Sequence, residues 1–212
     1  MKIMILGAAG QIGKLVTSDL LSQSDSELVL YGRNMTTRLA DLASERVTLV
    51  DGTFEDTENI KQHLVGVDSV YISFVAGPDI MKPLVETIES ANVSRFVALS
   101  IPDIYQEVSG PFQQWYRDNA GLVWQGELPK SAEIVENSSL DYVLLRVTWL
   151  YNEKGNTNIE ISHKGEPFVD AQITREAVAQ FVTDLLTDNA DYHRESLGVG
   201  EPGTNWSKPS FY

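Results

Sequence analysis

Three glycines at intervals of three, Gly7, Gly10 and Gly13, follow directly on the apolar stretch MKIMIL. Glycines so placed act through their backbone. If the apolar stretch is a strand and a helix opens after Gly10, the unbonded N–H groups of Gln11 and Ile12 point at one spot together with the positive end of the helix dipole. That spot can hold a phosphate. A side chain at Gly7 would obstruct the tight turn. One at Gly10 would keep the backbone away from a pyrophosphate, and one at Gly13 would hold the helix off the strand. A plain Gly-rich turn has the same composition. The placement behind a first strand, ahead of a first helix and before further strand–helix pairs favours a dinucleotide site.

A second chemical signal bears on which dinucleotide. A site for NAD places Asp or Glu about 20 residues beyond the glycines, where it binds the ribose 2′-hydroxyl. Here that region reads Leu30-Tyr31-Gly32-Arg33-Asn34. It offers no carboxylate, and Arg33 stands where a 2′-phosphate would lie, with Arg38 in reach from the next helix. A guanidinium fork suits a phosphate better than a bare hydroxyl. The expected cofactor is therefore NADP(H), with NAD(H) as the alternative if Arg33 is only a solvated strand-end residue. Phe74, Val75, Ala76 and Gly77, at the end of a later apolar run, should pass near the cofactor's ribose and pyrophosphate. Gly77 would permit close backbone approach.

These groups need a scaffold, and the rest of the chain has the rhythm for one. Apolar runs at Lys2–Leu6, Glu27–Tyr31, Val47–Val50, Ser69–Val75, Arg95–Ser100 and Tyr142–Val147 read as strands. Helical patterns at Gln11–Leu21, Thr36–Ala43, Thr57–Leu64, Ile80–Ala91, Leu128–Asn137 and Thr174–Leu186 alternate with them. Short strands are also expected at Glu166–Phe168 and Leu197–Val199, and the tail Pro202–Tyr212 as irregular covering chain. Buried runs alternating with helices predict an α/β fold, doubly wound around a mostly parallel Rossmann-type sheet, with a small C-terminal substrate region. One domain spans residues 1–212, its substrate or lid region lying at about 101–128 and 148–173.

Composition narrows the function classes. The chain has 212 residues, of which 42% are hydrophobic, enough for one well-buried domain. It contains no cysteine, and its three histidines, His63, His163 and His193, show no ligand spacing, so no metal site is expected. A net charge of −14 opposes binding to nucleic acid and to anionic membranes. A local nest of N–H groups can still hold an anionic cofactor. No secretory h-region and no run of about 20 apolar residues is present, which makes a cytoplasmic location the expectation.

The glycine spacing is G-x-x-G-x-x-G, and in this the chain resembles the short-chain dehydrogenase/reductase superfamily. More narrowly it is similar to the atypical, NmrA-like branch of small NAD(P)-binding proteins, labelled epimerase/dehydratase-like or NADH-flavin reductase-like. The resemblance runs through LGAAGQIG, LYGRN, VDGTFED, VYISFVAG, RFVALS, SSLDYVLLRVTWLYN and ITREAVAQFVTDLL, in that order. It implies that Asp51 binds the adenine amino group, although an Asp before Gly52 is also a turn former. It further implies that Ser100, at the end of a strand, is the active-site serine. The chain departs from the family where proline is usual near Val147 and Thr148.

A larger departure concerns catalysis. The superfamily's usual pair is Tyr-x-x-x-Lys, with the tyrosine as proton donor and the lysine lowering its pKa. The candidate lysine is Lys130, but Gly126 stands four residues before it. Reducing a ketone requires a proton for the developing alkoxide. Reducing a flavin, quinone or tetrapyrrole puts charge into a delocalised ring, which solvent can protonate. The expected function is therefore hydride transfer from NAD(P)H to a small planar conjugated acceptor. Tyr105, Trp115, Tyr116 and Trp149 are candidates to line its pocket, unless the aromatic segment is ordinary hydrophobic cover or a dimer contact. Tyr105 or Tyr116 could replace the missing proton donor. A non-enzymatic NADP(H)-binding sensor of NmrA type is the main rival, and an epimerase or dehydratase the third reading. The expected partner is a small-molecule acceptor, and the expected state a monomer or homodimer.

Overall fold

Aliphatic and aromatic side chains fill six runs that form the centre of the protein. They are Lys2–Leu6 (β1), Glu27–Gly32 (β2), Val47–Asp51 (β3), Ser69–Ile72 (β4), Arg95–Ser100 (β5) and Tyr142–Val147 (β6). The computed structural model describes every residue from Met1 to Tyr212. The six strands run parallel in the order β3-β2-β1-β4-β5-β6, so the winding reverses between β1 and β4. Later come Trp149–Tyr151 (β7), Glu160–His163 (β8), Gln172–Thr174 (β9) and Glu195–Gly200 (β10). Strand β10 extends the sheet in parallel from β6, and β8 closes that edge antiparallel. Strands β7 and β9 form a separate parallel pair.

Helices cover both faces. Gln11–Gln23 (α1) and Arg175–Leu186 (α7) pack on one side, against Ile3, Ile5, Val97 and Val143. Thr57–His63 (α3), Pro78–Glu89 (α4) and Leu128–Glu136 (α6) pack on the other, against Met4, Leu6, Phe96 and Leu144. Alternate residues of one strand thus enter opposite cores, which is why the runs are apolar throughout rather than every second residue. Met35–Arg38 (α2) is a single turn followed by a tight turn at Ala40–Leu42, in place of the longer helix read from the sequence. Strand β4 ends at Ile72, three residues earlier than expected. There Phe74 leaves the sheet and stacks on Phe54, ring centroids 4.0 Å apart.

One further expectation is corrected by local packing. Glu166–Phe168 is not a strand: Phe168 makes one isolated bridge to Val108, and the edge strand is β8 just upstream. The segment after β5, expected as a substrate or lid region, contains a helix, Phe112–Ala120 (α5). Phe112, Trp115 and Tyr116 fall on one helical face, and that face closes a third small core with Val108, Phe168 and Ala171. Two ion pairs fix this region. Buried Asp103 accepts from Arg117 Nε at 2.8 Å, and Arg146, fully buried on β6, pairs with Glu107.

The junction of β1 and α1 leaves no spare volume. A Cβ on Gly13 would come within 2.8 Å of the Gly7 carbonyl oxygen and 2.9 Å of that of Ala8, both backbone atoms that cannot swing away. Gly77, by contrast, faces open space. Gly13→Ala should therefore lower stability by about 1–3 kcal/mol, read from the midpoint of urea unfolding. Gly77→Ala should stay within about 0.5 kcal/mol of wild type. Equal losses at the two positions would show that the junction is not close-packed.

Candidate functional site

The reversal between β1 and β4 opens a crevice at the carboxyl ends of the strands, the place where open α/β sheets bind ligands. Gly7 turns the chain out of β1 at a φ of +85°, a conformation that disfavours any side chain. Its N–H is held by the Tyr31 carbonyl at 2.9 Å, and Gly10 N–H closes the turn on the Gly7 carbonyl at 2.9 Å. The first bond inside α1 is Lys14 N–H to Gly10 O, and no side chain caps the helix. The N–H groups of Gln11 and Ile12 are therefore left free at the positive end of a helix of 13 residues. These unmet donors fit a phosphate.

Beside this loop the end of β2 supplies cations. The Arg38 guanidinium donates to the Ala9 carbonyl at 3.0 Å and to the Arg33 carbonyl at 3.5 Å, so it bridges the glycine loop and the strand end. The Arg33 side chain is exposed and held by no carboxylate ion pair. Asp51 lies at the same corner. Its carboxylate accepts from Thr36 Oγ1 at 2.5 Å and from Thr36 N–H at 3.1 Å, and these bonds hold its pKa below the usual carboxylate range. The carboxylate thus braces the start of α2, a role different from both the adenine contact and the turn before Gly52. On the far side of the loop the Phe74 ring passes over Gly7 and Ala76 is buried, while Val75 is largely exposed and Gly77 opens α4.

A second feature lies where β5 and β6 end. A cavity of about 410 Å³ is walled by Ile101 and Pro102 after β5, Val147 to Leu150 after β6, Tyr116 of α5 and Arg175 at the start of α7. The tail completes it with Phe211 and Tyr212, which sequence reading had taken as covering chain. Trp149 Nε1 donates to Tyr212 Oη at 3.3 Å, Trp115 meets both rings edge-on, and Phe211 stacks on Tyr151. The tail is tethered where Ser210 N–H donates to Gln172 Oε1 at 2.8 Å. Tyr116 points its hydroxyl at the Pro102 carbonyl, 2.7 Å away, and burial pushes its pKa well above the usual phenol value.

Four expected site residues are not on the wall of this cavity: Trp115 only packs on Trp149 and Tyr212, and three others lie elsewhere. Tyr105 lies under β10, where its hydroxyl donates to Glu136 Oε1 at 2.7 Å and its ring is covered by Lys164. Lys130 faces outward from the first turn of α6 and pairs with Glu127 at 3.0 Å, in the groove between α4 and α6. The helix turns Ser131, Ala132 and Val135 inward instead, so the register places a serine where a lysine was expected. Ser100 does end β5, but the wall of the cavity begins one residue later, at Ile101.

The comparisons agree with this geometry. A family described as NAD(P)H-binding matches residues 7–189, and the chain belongs to that family. A short-chain dehydrogenase/reductase from Veillonella parvula, solved in complex with NADP, is 34% identical with a TM-score of 0.91, covering 99% of each chain. A UPF0659 protein of Saccharomyces cerevisiae is 27% identical over 210 residues, 90% of this chain and 89% of that protein. ChuY of Escherichia coli, an anaerobilin reductase, shares the fold at 17% identity and a TM-score of 0.78, covering 99% of this chain and all of that one. NAD(P)H is accordingly the cofactor, on an α/β fold of reductase type.

One buried acid, Asp170, lies next to the cavity wall, its backbone carbonyl accepting from Thr148 Oγ1 at 3.1 Å. Asp170 is buried beside β10, and desolvation, with Glu160 and Glu201 nearby, raises its carboxyl from 3.8 to about 6. The folded state therefore holds this proton where the unfolded chain has lost it. Stability falls as pH rises from about 4 to 6 and stays lowered above that. Asp170→Asn should raise Tm at pH 8 by about 2–4 °C, the equivalent of roughly 1 kcal/mol after solvent screening. The gain should vanish near pH 4. A gain of the same size at both pH values would show that charge is not its cause.

Proposed function

We propose that the protein transfers a hydride from NADPH to a small planar conjugated acceptor such as a flavin or quinone. The observation that carries this reading is the aromatic cavity at the carboxyl ends of β5 and β6, on the strand edge that also bears the glycine loop. Trp149, Tyr116 and the terminal aromatics offer flat apolar surface for a ring. When bound, NADPH supplies the hydride. The chain binds its phosphates through Gln11 and Ile12 N–H, faces the 2′-phosphate with Arg33, and excludes water with the aromatic wall.

Proton supply separates this acceptor class from ketones. Of the two tyrosines on the wall, Tyr116 has its hydroxyl committed to Pro102 and its pKa raised, so it is a poor acid, while Tyr212 Oη accepts from Trp149 Nε1 and has no cation bonded to it; Lys130 is turned away. An acceptor that delocalises the incoming charge and takes its proton from water fits these residues. A regulator that binds NADP(H) without turnover draws on the same outward Lys130.

Titration of each cofactor tests the binding half. Arg33→Ala should lose about 1.5–3 kcal/mol of NADPH affinity with little change for NADH. Arg38→Ala should weaken both, because Arg38 also holds the Ala9 carbonyl of the shared loop. NADPH oxidation with FMN, riboflavin, menadione and an aliphatic ketone tests the chemistry. Turnover with the conjugated acceptors and none with the ketone is expected. Tight NADPH binding without oxidation by any acceptor would replace the reductase reading with the regulator.

A further inference from the structure

Resting on the reductase reading, we infer that the acceptor is an anion: a planar conjugated ring system carrying an acidic group at its rim, with Arg175 as the residue that selects it. Arg175 is the only charged side chain on a cavity wall otherwise made of apolar and aromatic groups and Thr148. It is half-buried as the first residue of α7, and desolvation lowers its pKa without neutralising it. Its one side-chain bond is from Nη1 to the amide oxygen of Asn152 at 3.2 Å.

A guanidinium presents five N–H donors, so most of this one is unengaged. The neighbouring acid does not neutralise it, because Glu176 is directed to the Gly155 N–H at 2.7 Å. The positive end of α7 is also already capped, with Thr174 Oγ1 accepting from Ala177 N–H at 2.9 Å. Holding a cation against an apolar wall is unfavourable unless something compensates it. A carboxylate, sulfonate or phosphate entering the cavity edge-first would supply two charge-assisted bonds in a fork geometry. The low polarity around it would strengthen both. In a chain of net charge −14, a lone cation on the wall of the acceptor cavity is local selection against the general field.

The test uses pairs of acceptors that share one ring system and differ in whether they carry an acidic group. FMN and riboflavin share one ring, as do anthraquinone-2-carboxylate and its amide. Dissociation constants are measured on protein saturated with NADP⁺ by quenching of tryptophan fluorescence, and KM values with NADPH in the same buffer. In at least one pair the acid should bind at least about tenfold tighter than its neutral partner. Arg175→Met, which keeps the apolar stem, should erase the preference, and Arg175→Lys should retain part of it. Unchanged unfolding midpoints establish that both variants are folded.

Equal binding of acid and neutral partner in both pairs overturns the inference, as does a preference that survives in Arg175→Met. Anion preference in binding without NADPH oxidation leaves Arg175 as the anion-selecting residue and removes the reductase reading. Oxidation without anion preference does the reverse.

Discussion

The approach of α1 to the end of β1 is the contact on which the site depends. Gly13 sits so close to the Gly7 and Ala8 carbonyls that the helix starts immediately behind the strand. Its first N–H groups are thereby exposed at the crevice rather than used in a longer turn. The loop between is held from a second direction, since Gly7 N–H is bonded to β2 and Arg38 grips the Ala9 carbonyl. Donors already fixed in place lose little freedom when a phosphate arrives. That preorganisation explains how a strongly acidic chain holds a polyanion. The field at the crevice is the balance of a few oriented dipoles and two arginines against the nearby Asp51 and Glu55 carboxylates, while most of the other acidic residues are exposed, where solvent and salt screen them.

The C-terminal elaboration has a different task. Strands β5 and β6 would end at bare carboxyl ends, and the segment with α5, the chain from Val147 to Leu150 and the C-terminal tail build a wall there. Asp103 with Arg117 locks the segment into α5, and Arg146 with Glu107 ties the same segment down onto β6. The β7–β9 pair carries Trp149 out of the sheet, and the tail folds back through Gln172 to set Phe211 and Tyr212 against it. One half of the molecule thus presents backbone donors to a cofactor, and the other presents aromatic surface.

How much of this could be read from the chain follows from which forces were local. The six parallel strands, the glycine loop and the Thr174 cap of α7 were legible because each is written in a short window: an apolar run, a spacing of three, a threonine three residues before the N–H it accepts. Strands β7, β8 and β9 were not, since runs of three or four residues become strands only through partners far along the sequence. Helix α5 was available in the i, i+3, i+4 placement of Phe112, Trp115 and Tyr116, but Pro111, Gly110 and Gly121 around it read as turn chemistry. The free N–H groups of Gln11 and Ile12 and the exposed Arg33 lie where motif position placed them. Tyr105 and Lys130 were misplaced because a helical register or a loop's direction decides which way a side chain faces. Arg175, Phe211 and Tyr212 carried no sequence signal at all, since their role exists only where α7, β6 and the tail meet.

The misplaced residues bear on the chemistry. A fold of this type can run proton-coupled carbonyl reduction only if an acidic hydroxyl stands beside the reacting carbon with a cation to lower its pKa. Here the cation of α6 points into solvent, and the buried turn of that helix offers Ser131, whose hydroxyl has no partner. Tyr116 on the cavity wall is made a weaker acid by burial and by Asp103, not a stronger one. What remains at the wall is flat apolar surface, the hydroxyls of Thr148 and Tyr212, which are bonded to Asp170 O and Trp149 Nε1, and one guanidinium. Such a site stabilises negative charge electrostatically without delivering a proton, and a hydride adds negative charge to whatever accepts it. These residues support the proposed acceptor, one that spreads that charge over its own ring and leaves protonation to water.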